Sequence, residues 1–252
     1  MDLGLADRVF VVTGGARGLG RATAEVLVAE SASVVLAGRT EERLASAVAE
    51  LGSGHASYVV GDNADPGLAD RLVAAAHERW GRIDGALISV GGPPVGSVTA
   101  TTDEQWTAAF ESVFLGGVRL ARVVAAALGA GGSIAFVLST SVKAPLTQMA
   151  TSNGLRPGLA MVAKQLADEL GPRGIRVNGL LPGRVATERV AELDALSPDP
   201  AAAKARAAET IPLRRDGEPS EFGRAAAFLL SPAASFVSGA MLPVDGGVMR
   251  AL

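Results

Sequence analysis

The chain has 252 residues, 48% hydrophobic and 19% charged, enough to bury roughly 70–75% of its unfolded surface around one core and too apolar to stay disordered. A net charge of −3, from 23 basic and 26 acidic residues, offers no broad positive field for nucleic acid. The lack of cysteine excludes disulfides, thiolate metal sites and cysteine nucleophiles, and two histidines, His55 and His77, are too few for a histidine-rich metal site.

In chain order, residues 8–13 form a β-branched run closed by Gly14-Gly15, which predicts a strand buried on both faces. Residues 17–29 repeat apolar side chains at helical spacing (Leu19, Ala22, Val26, Ala29). A second buried strand is predicted over 33–37. A helix over 40–51 follows, with Thr40 as N-cap and Glu41 and Glu42 suited to the positive end of its dipole. A third strand over 57–61 leads to a helix over 66–80 with Pro66 in its first turn. Strand 83–90, a long helix over 103–128 and strand 133–138 come next. A helix over 155–170 carries Leu155, Leu159, Val162, Leu166 and Leu170 on one face, and strand 175–181 follows it. Residues 188–210, rich in Ala and charge, read as a helical excursion. Helix 218–230 and a short strand over 241–244 close the chain.

Seven strands alternating with helices imply a doubly wound, Rossmann-type α/β fold: one parallel sheet in a three-layer α/β/α arrangement, built as a single domain over 1–252. Residues 123–142 carry no charge over twenty positions. Gly129, Gly131, Gly132 and Ser133 break the run, so a helix end, a turn and a strand are expected there and not a membrane span. The first strand follows without a basic start or cleavage signal, so a cytoplasmic protein is expected.

Between the first strand and first helix lies Thr13-Gly14-Gly15-Ala16-Arg17-Gly18-Leu19-Gly20. Gly14 permits a tight turn, Gly18 lets backbone approach a pyrophosphate, and Gly20 lets helix and strand pack closely. The helix N-terminus then offers free N–H groups to phosphates. This spacing, Gly-x-x-x-Gly-x-Gly, occurs together with Asp62 after the third strand, Gly91-Gly92 after the fourth and Ser139 after the fifth. Gly174-Ile175-Arg176-Val177-Asn178, Pro182-Gly183 with Thr187, Ser238-Gly239 and Asp245-Gly246-Gly247 complete the set. On these motifs the chain resembles the short-chain dehydrogenases/reductases over nearly its whole length.

The resemblance implies a nicotinamide cofactor. At the end of the second strand Gly38 stands where the NAD-preferring members of that family carry an Asp. Arg39 follows, and Arg17 lies in the glycine loop; two guanidiniums can grip a 2′-phosphate. NADP(H) is therefore expected, held by Gly14, Ala16, Arg17, Gly18, Leu19, Gly20, Arg39, Asp62, Asn63, Gly91, Pro182, Gly183 and Thr187. Asp62 either accepts from the adenine amino group or closes a turn, and Asn63 could do either. Thr187 either holds the nicotinamide carboxamide or caps the next helix, or does both. Ser89-Val90-Gly91-Gly92 replaces the family's Asn-Asn-Ala-Gly, so strand bracing is lost while backbone access is kept.

The catalytic set implied by the resemblance is Asn, Ser, Tyr and Lys. Ser139 occupies the serine's position. Counting back from Gly174-Ile175-Arg176-Val177-Asn178 places Ser152 at the tyrosine and Arg156 at the lysine, and counting from Trp106 places Val113 at the asparagine. A tyrosine has a pKa of about 10 and can be tuned toward neutrality; a serine hydroxyl is far less acidic. Arg156 cannot shuttle protons but could bind the nicotinamide ribose or face a developing oxyanion. Pro157 predicts a helix that starts or kinks near 153–156. The only tyrosine, Tyr58, lies in the third strand, out of reach. Lys143, four residues beyond Ser139, is weighed as a replacement acid or as a solvated loop residue. His55 and His77 are expected at the surface.

The expected function is carbonyl or related C=X reduction similar to that of oxoacyl-carrier-protein reductases, on a small-molecule substrate. A redox-inactive binding or regulatory protein, or non-redox chemistry in the same cleft, stays open. Pro93, Pro94, Lys143 and the 188–217 segment are expected to line or cover the substrate. The resemblance further implies a homotetramer or homodimer, paired through helices 103–128 and 155–170.

Overall fold

The computed structural model describes residues 2–92 and 94–251. Strand β1 (Val9–Thr13) is buried along its length, and its side chains alternate between two cores. Val9 and Val11 join Leu72, Leu120, Val124, Phe136 and Leu159 on one face. Phe10 and Val12 join Leu27, Leu36, Phe222 and Leu229 on the other. A strand apolar at every position therefore needs helices on both sides of its sheet.

The strands β2 (Ser33–Gly38), β3 (Ala56–Val60), β4 (Gly85–Ile88), β5 (Ser133–Val137), β6 (Arg176–Pro182) and β7 (Met241–Val244) join β1 in one parallel sheet of order β3-β2-β1-β4-β5-β6-β7. Helices α1 (Gly18–Ala29), α2 (Glu41–Leu51) and α9 (Pro219–Leu230) cover one face. The other face carries α3 (Leu68–Trp80), α5 (Gly116–Ala127) and α6 (Ala150–Leu170), with α4 (Asp103–Ala109) leading towards α5. Two further helices, α7 (Glu188–Asp194) and α8 (Pro200–Thr210), leave the sheet after β6 and bury no side chain. The order reverses between β1 and β4, which opens a crevice at the carboxyl ends of those strands.

The expected fold is the one observed, with local corrections. Helix α3 starts at Leu68 and not at Pro66, because Asp65 turns back and its Oδ1 accepts from Gly67 N at 2.9 Å. Thr40 takes the N-cap position of α2, but its side chain makes no capping bond. The long helix expected over 103–128 runs as α4, one π-helical turn at Phe110–Leu115, and α5. Helix α6 starts at Ala150, ahead of the expected 153–156, and Pro157 lies inside it. The early start is braced from outside: Ala150 N donates to Gly96 O at 3.1 Å, and Asn153 exchanges side-chain bonds with the Leu146 backbone at 3.0 and 2.8 Å. In the uncharged run, α5 ends at Ala127 and β5 begins at Ser133. Among the described residues no helix is long and apolar enough to cross a membrane.

Candidate active site

The loop from β1 to α1 is shaped by close approach. A methyl group at Gly20 would collide with the carbonyl oxygen of Gly14, and Gly18 has φ +58°, a conformation that L side chains rarely adopt. The Thr13 hydroxyl is buried and locks this loop to the end of β4: it donates to Ser89 O at 2.6 Å and accepts from Ser89 N at 2.8 Å. Asn63 Nδ2 reaches the same carbonyl at 3.4 Å. Thr13 and Asn63 thus brace the neighbouring strand ends through Ser89, a role for Thr13 without a signal in the sequence.

At the switch point lies a cavity of about 500 Å³. Its lining includes Gly14, Ala16, Arg17, Arg39, Asp62, Asn63 and Gly91 from the expected cofactor set. Gly38, Thr40, Arg43, Gly92, Pro94, Ser112 and Val113 line it too; Pro93 lies outside the described residues. Val113 and Ser112 come from the π-helical turn, a distortion that often marks functional positions. Gly38 puts no carboxylate at the end of β2. Asp62 Oδ1 accepts from Ala64 N at 2.9 Å, closing a turn, while Oδ2 lies 3.8 Å from Arg39 Nη1. The turn role and a place in the lining hold together.

Gly18 lines a neighbouring groove of about 510 Å³ that shares Ala16, Arg17 and Arg43 with the first cavity. Leu19 and Gly20 lie beneath the loop in α1. Pro182 and Gly183 end β6, where Gly183 N donates to Val244 O at 3.0 Å. Thr187 is the N-cap residue of α7 without a side-chain capping bond. Its methyl would sit 3.7 Å from a Cβ built on Gly18, so α7 begins directly over the glycine loop.

The end of β5 is a separate, drier neighbourhood. Ser139 is half-buried, and its Oγ accepts from Ser141 N at 3.1 Å, which starts a short 3₁₀ turn at Thr140–Val142. Ser152 is buried in the first turn of α6, with its Oγ 3.2 Å from Ser141 Oγ. The adjacent Thr151 hydroxyl is buried without a hydrogen-bond partner. Arg156 is only 6% exposed. Its Nη1 donates to Val137 O at 2.7 Å and Leu138 O at 3.1 Å. No ion pair reaches it among the described residues, and burial pushes its pKa down to about 10, so it stays charged at neutral pH. The guanidinium ties α6 to the strand end that presents Ser139. Lys143 lies exposed in the loop beyond the 3₁₀ turn, outside any apolar pocket that would make it an acid. Tyr58 is engaged at the sheet edge by Glu41, and His55 and His77 are exposed.

Two motif residues do structural work. Arg176 donates to Leu229 O and Ser231 O at 2.7 and 2.9 Å, satisfying the last carbonyls of α9. Asn178 bonds Val237 O and Ala240 N, both at 2.9 Å, and fixes the entry to β7.

Comparison with known proteins agrees with this geometry. Residues 14–249 match the sequence profile of the family described as Enoyl-(Acyl carrier protein) reductase. The chain is 36% identical to the A-factor type γ-butyrolactone 1′-reductase (1S-forming) of Streptomyces virginiae, with 96% of each chain covered. It superposes on a short-chain dehydrogenase/reductase from Brucella melitensis, described as a glucose/ribitol dehydrogenase, with TM-score 0.93, 30% identity and full coverage of both chains. The L-sorbose reductase of Gluconobacter frateurii, solved with NADPH and L-sorbose, matches with TM-score 0.91 at 29% identity over all of both chains. With a glycine-floored crevice at the switch point and these relatives over its whole length, the chain belongs to the short-chain dehydrogenase/reductase family of oxidoreductases.

Proposed function

We propose that this protein is an NADP(H)-dependent reductase of a carbonyl or related C=X group, working with an altered catalytic set. The observation that carries the reading is the cavity at the switch point, where Arg17, Arg39 and Arg43 line the wall and Gly38 removes the carboxylate that would repel a 2′-phosphate. The residues fit the cofactor: the loop of Gly14, Ala16 and Gly18 takes the pyrophosphate at the N-terminus of α1, and Asp62 and Asn63 line the adenine end. Pro182, Gly183 and Thr187 would flank the nicotinamide. When bound, NADPH supplies the hydride.

The chain's own residues then have limited tasks. The Ser139 hydroxyl orients the acceptor oxygen. Ser152, held against Ser141, can pass a hydrogen bond but lacks the acidity of a phenol. The buried positive charge of Arg156 steadies the end of β5 and biases the local potential toward a developing oxyanion. With Lys143 in solvent, the proton comes from water, or is not needed because the substrate arrives as a cation such as an iminium.

The test is to incubate the pure protein with NADPH and a panel of ketones, imines and enones and follow nicotinamide absorbance. Turnover of at least one class, faster with NADPH than NADH, is expected. Bound cofactor with no turnover anywhere would sink the redox reading and leave a cofactor-binding regulatory protein; the commitment of Arg156 to backbone carbonyls favours that second reading. Release of product without any nicotinamide change would mark non-redox chemistry in the same cleft.

The same proposal includes a single cytoplasmic domain over 1–252 that pairs with its copies through α4, α5 and α6. Exposed Phe110 and Met161 on those helical segments support that pairing. The 188–217 segment would cover the substrate. Light scattering that finds a monomer would remove the oligomer from the reading.

A further inference from the structure

The guanidiniums at the mouth of the adenosine cavity already share a carboxylate. Arg17 Nη1 donates to Glu188 Oε2 at 2.9 Å, and Arg43 Nη1 lies 3.4 Å from the same oxygen. Arg17 Nη1 also reaches Glu192 Oε1 at 3.0 Å. One lid carboxylate thus sits between two arginines in the setting a 2′-phosphate would need. We propose that Glu188 is a specificity-determining residue: its carboxylate holds the seat of the cofactor's 2′-phosphate, so the phosphorylated cofactor releases the start of α7 from the cleft and the unphosphorylated one does not. This rests on the NADP(H) reading above.

The two ends of α7 are tethered differently. At its start, Arg17 and Glu188 are 40% and 58% exposed, so their pair sits in high dielectric. Such exposed pairs contribute little to stability and exchange readily. At its end, Asp194 bonds Arg184, which also holds Asp216 at 2.8 Å; Asp216 is only 7% exposed. No side chain of α7 is fully buried, and the Arg17–Glu192 pair at 3.0 Å is exposed too, so a pivot about that inner anchor gives up exposed pairs.

The closed position obstructs the site. A Cβ built on Gly92 would meet Arg189 Nε at 2.8 Å, and Thr187 overlies Gly18. Lifting the start of α7 uncovers both glycines. A phosphate carries about −1.5 to −2 charges and three acceptor oxygens, and so displaces a single carboxylate from Arg17 and Arg43. A neutral ribose 2′-hydroxyl has no charge with which to compete. Discrimination between the cofactors then resides partly in lid release and not in affinity alone.

The experiment uses adenosine 2′,5′-bisphosphate and 5′-AMP as probes, with calorimetry for affinity and amide hydrogen exchange for residues 188–194. In the wild-type protein the bisphosphate is expected to bind about 10-fold tighter or better and to accelerate exchange across 188–194, whereas 5′-AMP leaves exchange unchanged. In Glu188→Gln those amides should exchange fast without any ligand, and bisphosphate affinity should rise about 3- to 10-fold with no change for 5′-AMP. A bisphosphate that binds tighter yet leaves the exchange of 188–194 untouched would overturn the proposal, as would a Glu188→Gln variant of unaltered affinity. If the wild-type protein does not distinguish the two probes at all, the NADP(H) reading itself fails and takes this one with it.

Discussion

Arg17 and Arg156 carry the same guanidinium into opposite surroundings, the wall of the cavity at the switch point and the drier end of β5. Arg17 is 40% exposed and shared between two carboxylates, which raise its pKa, Glu188 first and Glu192 second. Arg156 is buried on two carbonyl oxygens, and burial lowers its pKa. The first arrangement can trade its partners for a ligand at little cost. The second is a strut, because a charge removed from those carbonyls would be left in a dry interior without a partner. The cavity wall at Arg17 is therefore built for exchange, and the end of β5 around Ser139 is built for rigidity.

The strongest test of this contrast removes the strut. Arg156→Ala leaves a cavity and two buried carbonyls without their donor, with an expected loss of about 3–4 kcal/mol in urea unfolding. Arg156→Met, which refills the space but leaves the same carbonyls without that donor, should recover only the cavity part of that loss, about 1–2 kcal/mol. A Met variant as unstable as the Ala variant would show that the charged hydrogen bonds, and not the filled volume, hold β5 to α6. Next in size, Gly20→Ala drives a methyl group into Gly14 O and should weaken NADPH by about 100-fold, close to 3 kcal/mol. Arg17→Ala should cost NADPH about 10- to 30-fold in calorimetry and NADH less than about 2-fold. Equal losses for both cofactors would remove the 2′-phosphate from Arg17 and with it the exchange assigned to that wall. Smallest, Lys143→Ala should change turnover by less than about 2-fold; a large drop would make Lys143 the missing acid.

Most strands were legible because apolar runs between glycine turns have few other uses in a chain of this length. Strand 241–244 was read to the residue. Helix starts were harder. Local signals at Pro66 and Pro157 pointed to helix boundaries, yet the Asp65 turn and the bridge between Gly96 and Met149 set them elsewhere. The π-helical turn had no local marker. In the site, the glycine loop came from its spacing, and Arg39, Asp62 and Gly91 from the family resemblance. Arg43 falls within the predicted helix 40–51, and Glu188 and Glu192 within the charged helical excursion, with no local sign of a place in the site. Their approach to Arg17 spans 171 and 175 residues of chain, beyond the range of any spacing argument.

What the sequence determined alone was the parallel sheet, its glycine loop and a chain with one tyrosine, Tyr58, and no cysteine. Each follows from residue type and order, which are local. Only the tertiary structure decided that Arg156 faces backbone and not the cleft, that Ser152 pairs with Ser141, and that α7 lies over the glycine loop. Those outcomes depend on which distant surface a side chain meets, and burial, charge pairing and dielectric exist only once the chain has folded.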